Sequence, residues 1–137
     1  MSVMSKTKIL IIDDEMEFAV TLAERLVLRE FETKAVGGGE EAMTLLQKNW
    51  KPDVVLLDLK MPGLDGLAAL DLIKKHDPAI EVIILTGHGS TASGIAGMQH
   101  GLFDYLMKPI DIGELIVKIK EAAKKAGGTI SERSKNK

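Results

Sequence analysis

Three aspartates stand at the ends of two short apolar runs. Asp13 and Asp14 follow the run Ile9 to Ile12, and Asp58 follows the run Val54 to Leu57. Apolar runs of this length, bounded by turn residues, are typical of strands buried on both faces of a parallel sheet. The carboxylates are therefore predicted to emerge at the C-terminal ends of strands, where open α/β sheets keep their ligand sites.

Close packing of these three carboxylates requires a compensating positive charge. Carboxylates that meet at one sheet edge repel each other unless a cation or a lysine lies among them. Oxygen ligands suit Mg²⁺, a hard cation that keeps several waters and takes phosphate oxygens directly. The pattern of Asp13, Asp14 and Asp58 therefore predicts an acidic site with Mg²⁺ as its cofactor.

The composition of the chain narrows the classes of function. With 137 residues, 45% of them hydrophobic, we expect one soluble domain with a single core. The net charge of -2 argues against direct binding of nucleic acid, which needs a basic surface. The absence of cysteine excludes disulfides and thiol chemistry. Because neither a signal peptide nor an apolar run near the ~20 residues of a membrane span is evident, we expect a cytoplasmic protein.

Strand-like runs alternate with helical segments along the chain. The predicted strands are Lys8 to Asp13, Glu32 to Val36, Val54 to Leu57, Val82 to Leu85, and Tyr105 to Met107. The predicted helices are Met16 to Arg29, Glu40 to Asn49, Gly66 to Lys75, Thr91 to His100, and a fifth that begins at the N-cap Asp111 and ends near Ala126. The fourth helix is the weakest, because each of its two glycines costs about 1 kcal/mol relative to alanine.

This alternation predicts an α/β fold with a single doubly wound, five-stranded parallel sheet and helices on both faces. The common strand order at this size is 2-1-3-4-5, which makes the first and third strands neighbours. Asp13, Asp14 and Asp58 would then share one crevice. Residues 1–7 are interpreted as an N-terminal extension, 8–126 as the folded domain, and 127–137 as a flexible tail or truncated linker, since Gly127-Gly128 precedes a polar, aperiodic stretch.

Four segments carry a family resemblance in the same order along the chain. They are Asp13-Asp14, the loop Asp58 to Gly66 (DLKMPGLDG), Thr86 to Gly89 (TGHG), and Phe103 to Pro109 (FDYLMKP). With these motifs, the chain from Lys8 to Ala126 resembles the receiver domain of two-component response regulators, which has the flavodoxin-like, CheY-like fold. The stretch Leu85 to Pro109 is most similar to receivers attached to regulators of the NtrC type.

The resemblance implies a phosphoacceptor site. Asp58 would take a phosphoryl group from the phosphohistidine of a cognate sensor histidine kinase, as an aspartate nucleophile. Mg²⁺ would be held by Asp13, Asp14, Asp58 and the main-chain carbonyl of Lys60. The ammonium of Lys108, before a proline whose peptide bond is often cis in the family, would stabilise the charge on the phosphoryl oxygens.

The resemblance also implies a switch. The hydroxyl of Thr86 would donate to a phosphoryl oxygen, and the space that it leaves would admit the ring of Tyr105. In the simpler interpretation, Thr86 caps a turn and Tyr105 is an edge residue with a hydrated hydroxyl. The face formed by the predicted fourth helix, the fifth strand and the fifth helix would then control a homodimer, an output domain or a downstream partner.

Two side chains near the mouth of the site are expected to tune it. Lys60 and His88 lie two residues past Asp58 and Thr86 respectively, where they would alter the lifetime of the acyl phosphate, although both could equally be solvated. His76 and His100 fall near helix ends and are interpreted as structural, because three scattered histidines do not make a zinc site.

Three classes of function remain open on the sequence. The favoured one is a signalling switch that is no enzyme toward metabolites, since it catalyses only its own phosphorylation and dephosphorylation. The second is a receiver-like interaction module that works without phosphorylation. The third is an aspartate-nucleophile phosphatase of the haloacid dehalogenase type. That family requires an acid two residues after its nucleophile, where this chain has Lys60.

Overall fold

The structure is a computed structural model that describes residues 6–59, 66–87 and 99–135, with side chains described as far as Ala126. Its strands are β1 (Lys8–Ile12), β2 (Glu32–Val36), β3 (Val54–Leu57), β4 (Glu81–Thr86) and β5 (Asp104–Met107). Its helices within these ranges are α1 (Met16–Val27), α2 (Gly39–Gln47), α3 (Gly66–His76) and α4 (Ile112–Lys135). The helix predicted from Thr91 to His100 falls almost wholly on residues 88–98, which lie outside the described residues.

All five strands pair in parallel in one sheet with the order β2-β1-β3-β4-β5. The predicted α/β fold and strand order are therefore confirmed. Strands β3 and β4 are buried along their whole length, as expected for parallel strands covered by helices on both faces. The order places β1 beside β3, so that the chain reverses its direction of winding between them.

Alternate residues of the central strands enter two separate cores. Leu10, Val55 and Ile84 pack on one face against α2 and α3. Ile11 and Leu56 pack on the other face against α1 and α4. Successive side chains of a strand point to opposite faces, and both faces here are apolar, so the sheet is held rigidly between two helical layers.

Two helices end earlier than the sequence predicted. Helix α1 ends at Val27 rather than Arg29, because Glu30 adopts a left-handed conformation with φ of 70°. Helix α2 ends at Gln47 rather than Asn49, since Asn49 itself has φ of 68°. A left-handed residue just past the last turn is the usual way for a helix to stop, but here neither position is a glycine.

The last helix departs from the prediction in the opposite direction. Asp111 caps it as predicted, with its Oδ1 accepting hydrogen bonds from the backbone N–H groups of Gly113 (2.8 Å) and Glu114 (3.2 Å). However, α4 continues past the predicted end near Ala126, through Gly127-Gly128 to Lys135. Once the capped and packed N-terminal turns have formed, each further residue adds a backbone hydrogen bond, and two glycines weaken this propagation without stopping it.

No helix in the described part of the chain combines the length and the apolar character needed to cross a bilayer.

Candidate functional site

The strand register brings four of the predicted residues to one edge of the sheet. Ile12 pairs with Leu57, so Asp13 and Asp58 follow their strands at the same level. Thr86 and Met107 are the last paired residues of β4 and β5, and Lys108 follows directly, its N–H donating to the Thr86 carbonyl at 2.9 Å.

Asp13, Asp14 and Asp58 form a compact carboxylate cluster. One oxygen from each lies within 4.8 Å of the others. Asp13 and Asp58 are buried, whereas Asp14 is exposed, so the cluster reaches solvent at Asp14. The Oδ1 atom of Asp58 is buried and has no hydrogen-bond partner among the described residues.

This cluster fits a magnesium ion. A buried carboxylate oxygen without a partner is costly unless a cation or a donor completes it. Three hard oxygen donors that converge from one side, with solvent on the other, leave room for the waters that Mg²⁺ retains.

Lys108 lies beside the cluster with its ammonium held by two carboxylates. Its Nζ is 2.8 Å from Asp13 Oδ2 and 2.7 Å from Glu15 Oε1, and it lies 4.1 Å from the centroid of the Phe18 ring. The Lys108-Pro109 peptide bond is cis. The lysine therefore supplies the positive charge that the sequence required near the acids.

The pKa values at this edge reflect the competition between burial and pairing. Burial raises the pKa of Asp13, and the charge of Asp58 raises it further, while the hydrogen bond from Lys108 opposes the rise. Burial acts to lower the pKa of Lys108, but its hydrogen bonds to Asp13 and Glu15 outweigh burial and raise that pKa. Lys108 therefore carries its positive charge at neutral pH.

The two predicted switch residues lie on neighbouring strands. Thr86 is fully buried at the end of β4. Tyr105 is half-buried on β5 and packs against the core on the α2 and α3 side of the sheet. Its hydroxyl is buried and has no partner among the described residues.

Gly66 allows helix α3 to begin directly against the loop that follows β3. Its N–H donates to the Leu59 carbonyl at 2.8 Å. A Cβ at position 66 would lie 2.5 Å from Leu59 Cα and 2.8 Å from the Asp58 carbonyl oxygen. Only a residue without a side chain lets α3 begin this close to the backbone that carries Asp58.

A groove of about 710 Å³ opens beside Lys108, between α1 and the segment that joins β5 to α4. Phe18 and Leu22 line it from α1, and Ile110 and Ile112 line it from the other side. Glu17, Thr21 and Arg25 also line the groove, so its apolar side chains lie among polar and charged ones next to Lys108.

Sequence reasoning missed two members of the site. Neither Glu15 nor Phe18 was among the predicted site residues. Their contacts with Lys108 join positions 90 or more residues apart in sequence. The sequence did place both residues near the acids: Glu15 directly follows Asp13-Asp14, and Phe18 is one helical turn beyond Glu15.

Two predicted contributors cannot be placed. Lys60, with its proposed carbonyl ligand, and His88 lie outside the described residues. His100 is described, and its Nδ1 is 2.6 Å from Asp71 Oδ1 on α3. The structural role of His100 stays a prediction.

Comparison with known proteins identifies the family. The family model described as the response regulator receiver domain matches residues 9–120. The transcriptional regulatory protein PrrA of Mycobacterium tuberculosis is 31% identical over 127 residues, which are 93% of this chain and 54% of that protein. The regulator NtrC of Salmonella typhimurium is 36% identical over 112 residues, which are 82% of this chain and 24% of NtrC. The chain thus spans about half the length of PrrA and about a quarter of the length of NtrC.

A solved structure shares the fold over nearly the same range. A CheY-like response regulator receiver domain protein from Methanospirillum hungatei superposes with a TM-score of 0.86 at 26% identity, covering 91% of this chain and 99% of that one. The family match, the relatives and the sheet order agree with the resemblance that the motifs indicated. The chain belongs to the response regulator receiver domain family of two-component signalling.

Proposed function

We propose that this chain is a phosphoacceptor switch in which Asp58 takes a phosphoryl group from the phosphohistidine of a sensor histidine kinase. The observation that carries the proposal is the buried Oδ1 of Asp58, which has no hydrogen-bond partner within the described ranges and lies beside two further carboxylates. An oxygen that is already desolvated and unbonded is poised to act as a nucleophile. Such a role is typical of the receiver family and not of enzymes that turn over metabolites.

The chemistry of the proposed step is a direct displacement at phosphorus. A bond forms between an Asp58 carboxylate oxygen and phosphorus, and the bond between phosphorus and the histidine nitrogen breaks, with its electron pair leaving on the imidazole. Asp13 and Asp14 would bind Mg²⁺ together with Asp58. When bound, the ion supplies charge neutralisation for the phosphoryl oxygens. Lys108 would stabilise the negative charge that spreads over the same oxygens.

The response to phosphorylation would begin at Thr86. Its hydroxyl would turn to donate to a phosphoryl oxygen, and Tyr105 on the next strand would follow into the space that this opens. The hydroxyl of Tyr105 supports this role, because it has no partner in the part of the chain that the structure describes and so loses no described hydrogen bond when the ring moves. The surface around β5 would then change its affinity for a second copy, an output domain or a downstream partner.

The groove beside Lys108 would receive the kinase. Its apolar lining gives a partner helix a surface to bury within reach of the acceptor. Thr21 is exposed and lies at this groove, so Thr21→Arg is expected to slow transfer from the kinase while leaving labelling by a small phosphodonor unchanged. Equal slowing with both donors would contradict this docking surface.

The proposal is tested by incubating the chain with Mg²⁺ and either acetyl phosphate or a panel of phosphorylated histidine kinases, followed by intact mass measurement. We expect a gain of one phosphoryl group that is abolished in Asp58→Asn and by a chelator. An unchanged mass with every donor would favour an interaction module that works without phosphate. The comparisons favour neither that module nor a phosphatase of the haloacid dehalogenase type. The cytoplasmic location stays a prediction of the sequence.

A further inference from the structure

Lys108 has a partner that the phosphoacceptor chemistry does not require. Its ammonium is 2.7 Å from Glu15 Oε1, a contact even shorter than its 2.8 Å contact with Asp13. The face of the Phe18 ring adds a third contact, with its centroid 4.1 Å from Nζ. The lysine is therefore held from the side of α1.

These contacts hold the cation toward Glu15 and Phe18. An ammonium has three protons to donate, and two of them are used by Asp13 and Glu15. The Oδ1 atom of Asp58 receives no hydrogen bond from Lys108 or from any other described residue. A phosphoryl group on Asp58 would therefore attract the ammonium in competition with the two carboxylates that already hold it.

The two carboxylates that hold Lys108 differ in how firmly they can do so. The Asp13 side chain is only 3% exposed, whereas the Glu15 side chain is 65% exposed. An exposed ion pair is screened by water and is readily exchanged for a stronger partner, while a buried one is not. Glu15 is therefore the partner that Lys108 gives up.

We propose that Glu15 is a positioning residue that competes with the phosphoryl group for Lys108 and so lowers the affinity of the site for phosphate. The proposal rests on the phosphoacceptor function of Asp58. Glu15 holds the ammonium on the α1 side in the unphosphorylated state, and the phosphoryl oxygens displace Glu15 when they arrive. The strength of the contact between Glu15 and Lys108 sets how strongly the unphosphorylated state is favoured over the phosphorylated state.

Binding of beryllofluoride at saturating Mg²⁺ tests the competition, because this ion mimics a phosphoryl group on a carboxylate without turnover. Glu15→Gln removes the charge and keeps the size of the side chain. We expect Glu15→Gln to bind beryllofluoride about two- to five-fold more tightly than the wild type, which is the range of an exposed ion pair. Glu17→Gln is the matched control, since it removes the same charge from the exposed surface of α1 without a described contact to Lys108.

A second background shows whether the effect acts through the lysine. In Lys108→Met, the substitution Glu15→Gln is expected to change beryllofluoride binding by less than 1.5-fold, since the competitor has lost its target (about 0.2 kcal/mol, the low end for an exposed pair). Binding in this background is followed by the shift in Tm that the ligand produces, which reports weak as well as tight binding.

The possible outcomes separate this inference from the phosphoacceptor function. Tighter binding in Glu15→Gln alone, lost in the Lys108→Met background, supports the competition. Equal effects of Glu15→Gln and Glu17→Gln, or an effect that persists in Lys108→Met, overturn it while the phosphoacceptor function stands. A wild-type chain that binds no beryllofluoride with Mg²⁺ overturns both.

Discussion

Replacing Asp58 by asparagine should make the metal-free protein more stable. The substitution keeps the shape of the side chain but removes one of three negative charges whose oxygens lie within 4.8 Å of one another. Two like charges at that distance repel by roughly 0.9 kcal/mol in bulk water and by roughly 3.5 kcal/mol at an effective dielectric constant of 20. The attraction between Asp58 and Lys108 offsets part of this repulsion.

The buried Oδ1 of Asp58 contributes in the same direction, because a buried polar atom without a partner costs about 1–3 kcal/mol. The amide of asparagine could instead donate to a neighbouring carboxylate. Together these effects lead us to expect that Asp58→Asn raises the free energy of unfolding by about 1–2 kcal/mol without metal, a gain of about 4–8 °C in Tm.

The assay is urea unfolding in the presence of a chelator and again at saturating Mg²⁺. The gain should shrink or reverse with Mg²⁺, because the ion stabilises the wild-type cluster and loses a ligand in the variant. Glu17→Gln, an exposed acid outside the cluster, is the control and should change the free energy of unfolding by less than about 0.5 kcal/mol. If Asp58→Asn were no more stable than the wild type in chelator, or kept its full gain in Mg²⁺, the reasoning from charge repulsion would be wrong.

Three further substitutions test the frame of the site, each by urea unfolding. Gly66→Ala should cost about 1–3 kcal/mol because its Cβ would meet the backbone of Leu59, whereas Gly38→Ala, which has no atom within 4 Å of its Cβ, should cost less than about 1 kcal/mol. A similar cost for both would contradict the close packing at Gly66. Asp111→Ala should cost about 1 kcal/mol through the lost cap of α4, and no loss would show that the cap does not stabilise the helix. Tyr105→Phe should leave the free energy of unfolding unchanged or raise it by about 1 kcal/mol, because it removes a buried hydroxyl that has no described partner, and a loss above about 1 kcal/mol would reveal a hydrogen bond to that hydroxyl.

The fold could be predicted because its signals are local. Apolar runs such as Val54 to Leu57 mark strands that are covered on both faces, and the helices between them force parallel pairing. The order of the strands then follows from the handedness of the crossovers. Because the ends of parallel strands meet at one edge, the convergence of Asp13, Asp14 and Asp58 could be predicted as well.

The remaining features depend on contacts or conformations that the sequence pattern does not encode. Helix α1 stops because Glu30 turns left-handed, which its residue type does not indicate. Helix α4 continues through Gly127-Gly128 because a helix that has already formed adds a backbone hydrogen bond with each further residue. The pairing of Glu15 with Lys108 could be predicted only from the positions of side chains that are far apart in sequence. The motifs include the aspartates and the lysine but not Glu15.

The identity of the phosphorylated residue is the most direct test of the central claim. The chain would be labelled with a small phosphodonor in Mg²⁺, treated with borohydride to reduce the acyl phosphate, and digested for peptide mapping by mass spectrometry. We predict that the modification maps to Asp58 alone and that Asp58→Asn carries none. Modification at another residue, or equal labelling of the Asp58→Asn variant, would contradict the account.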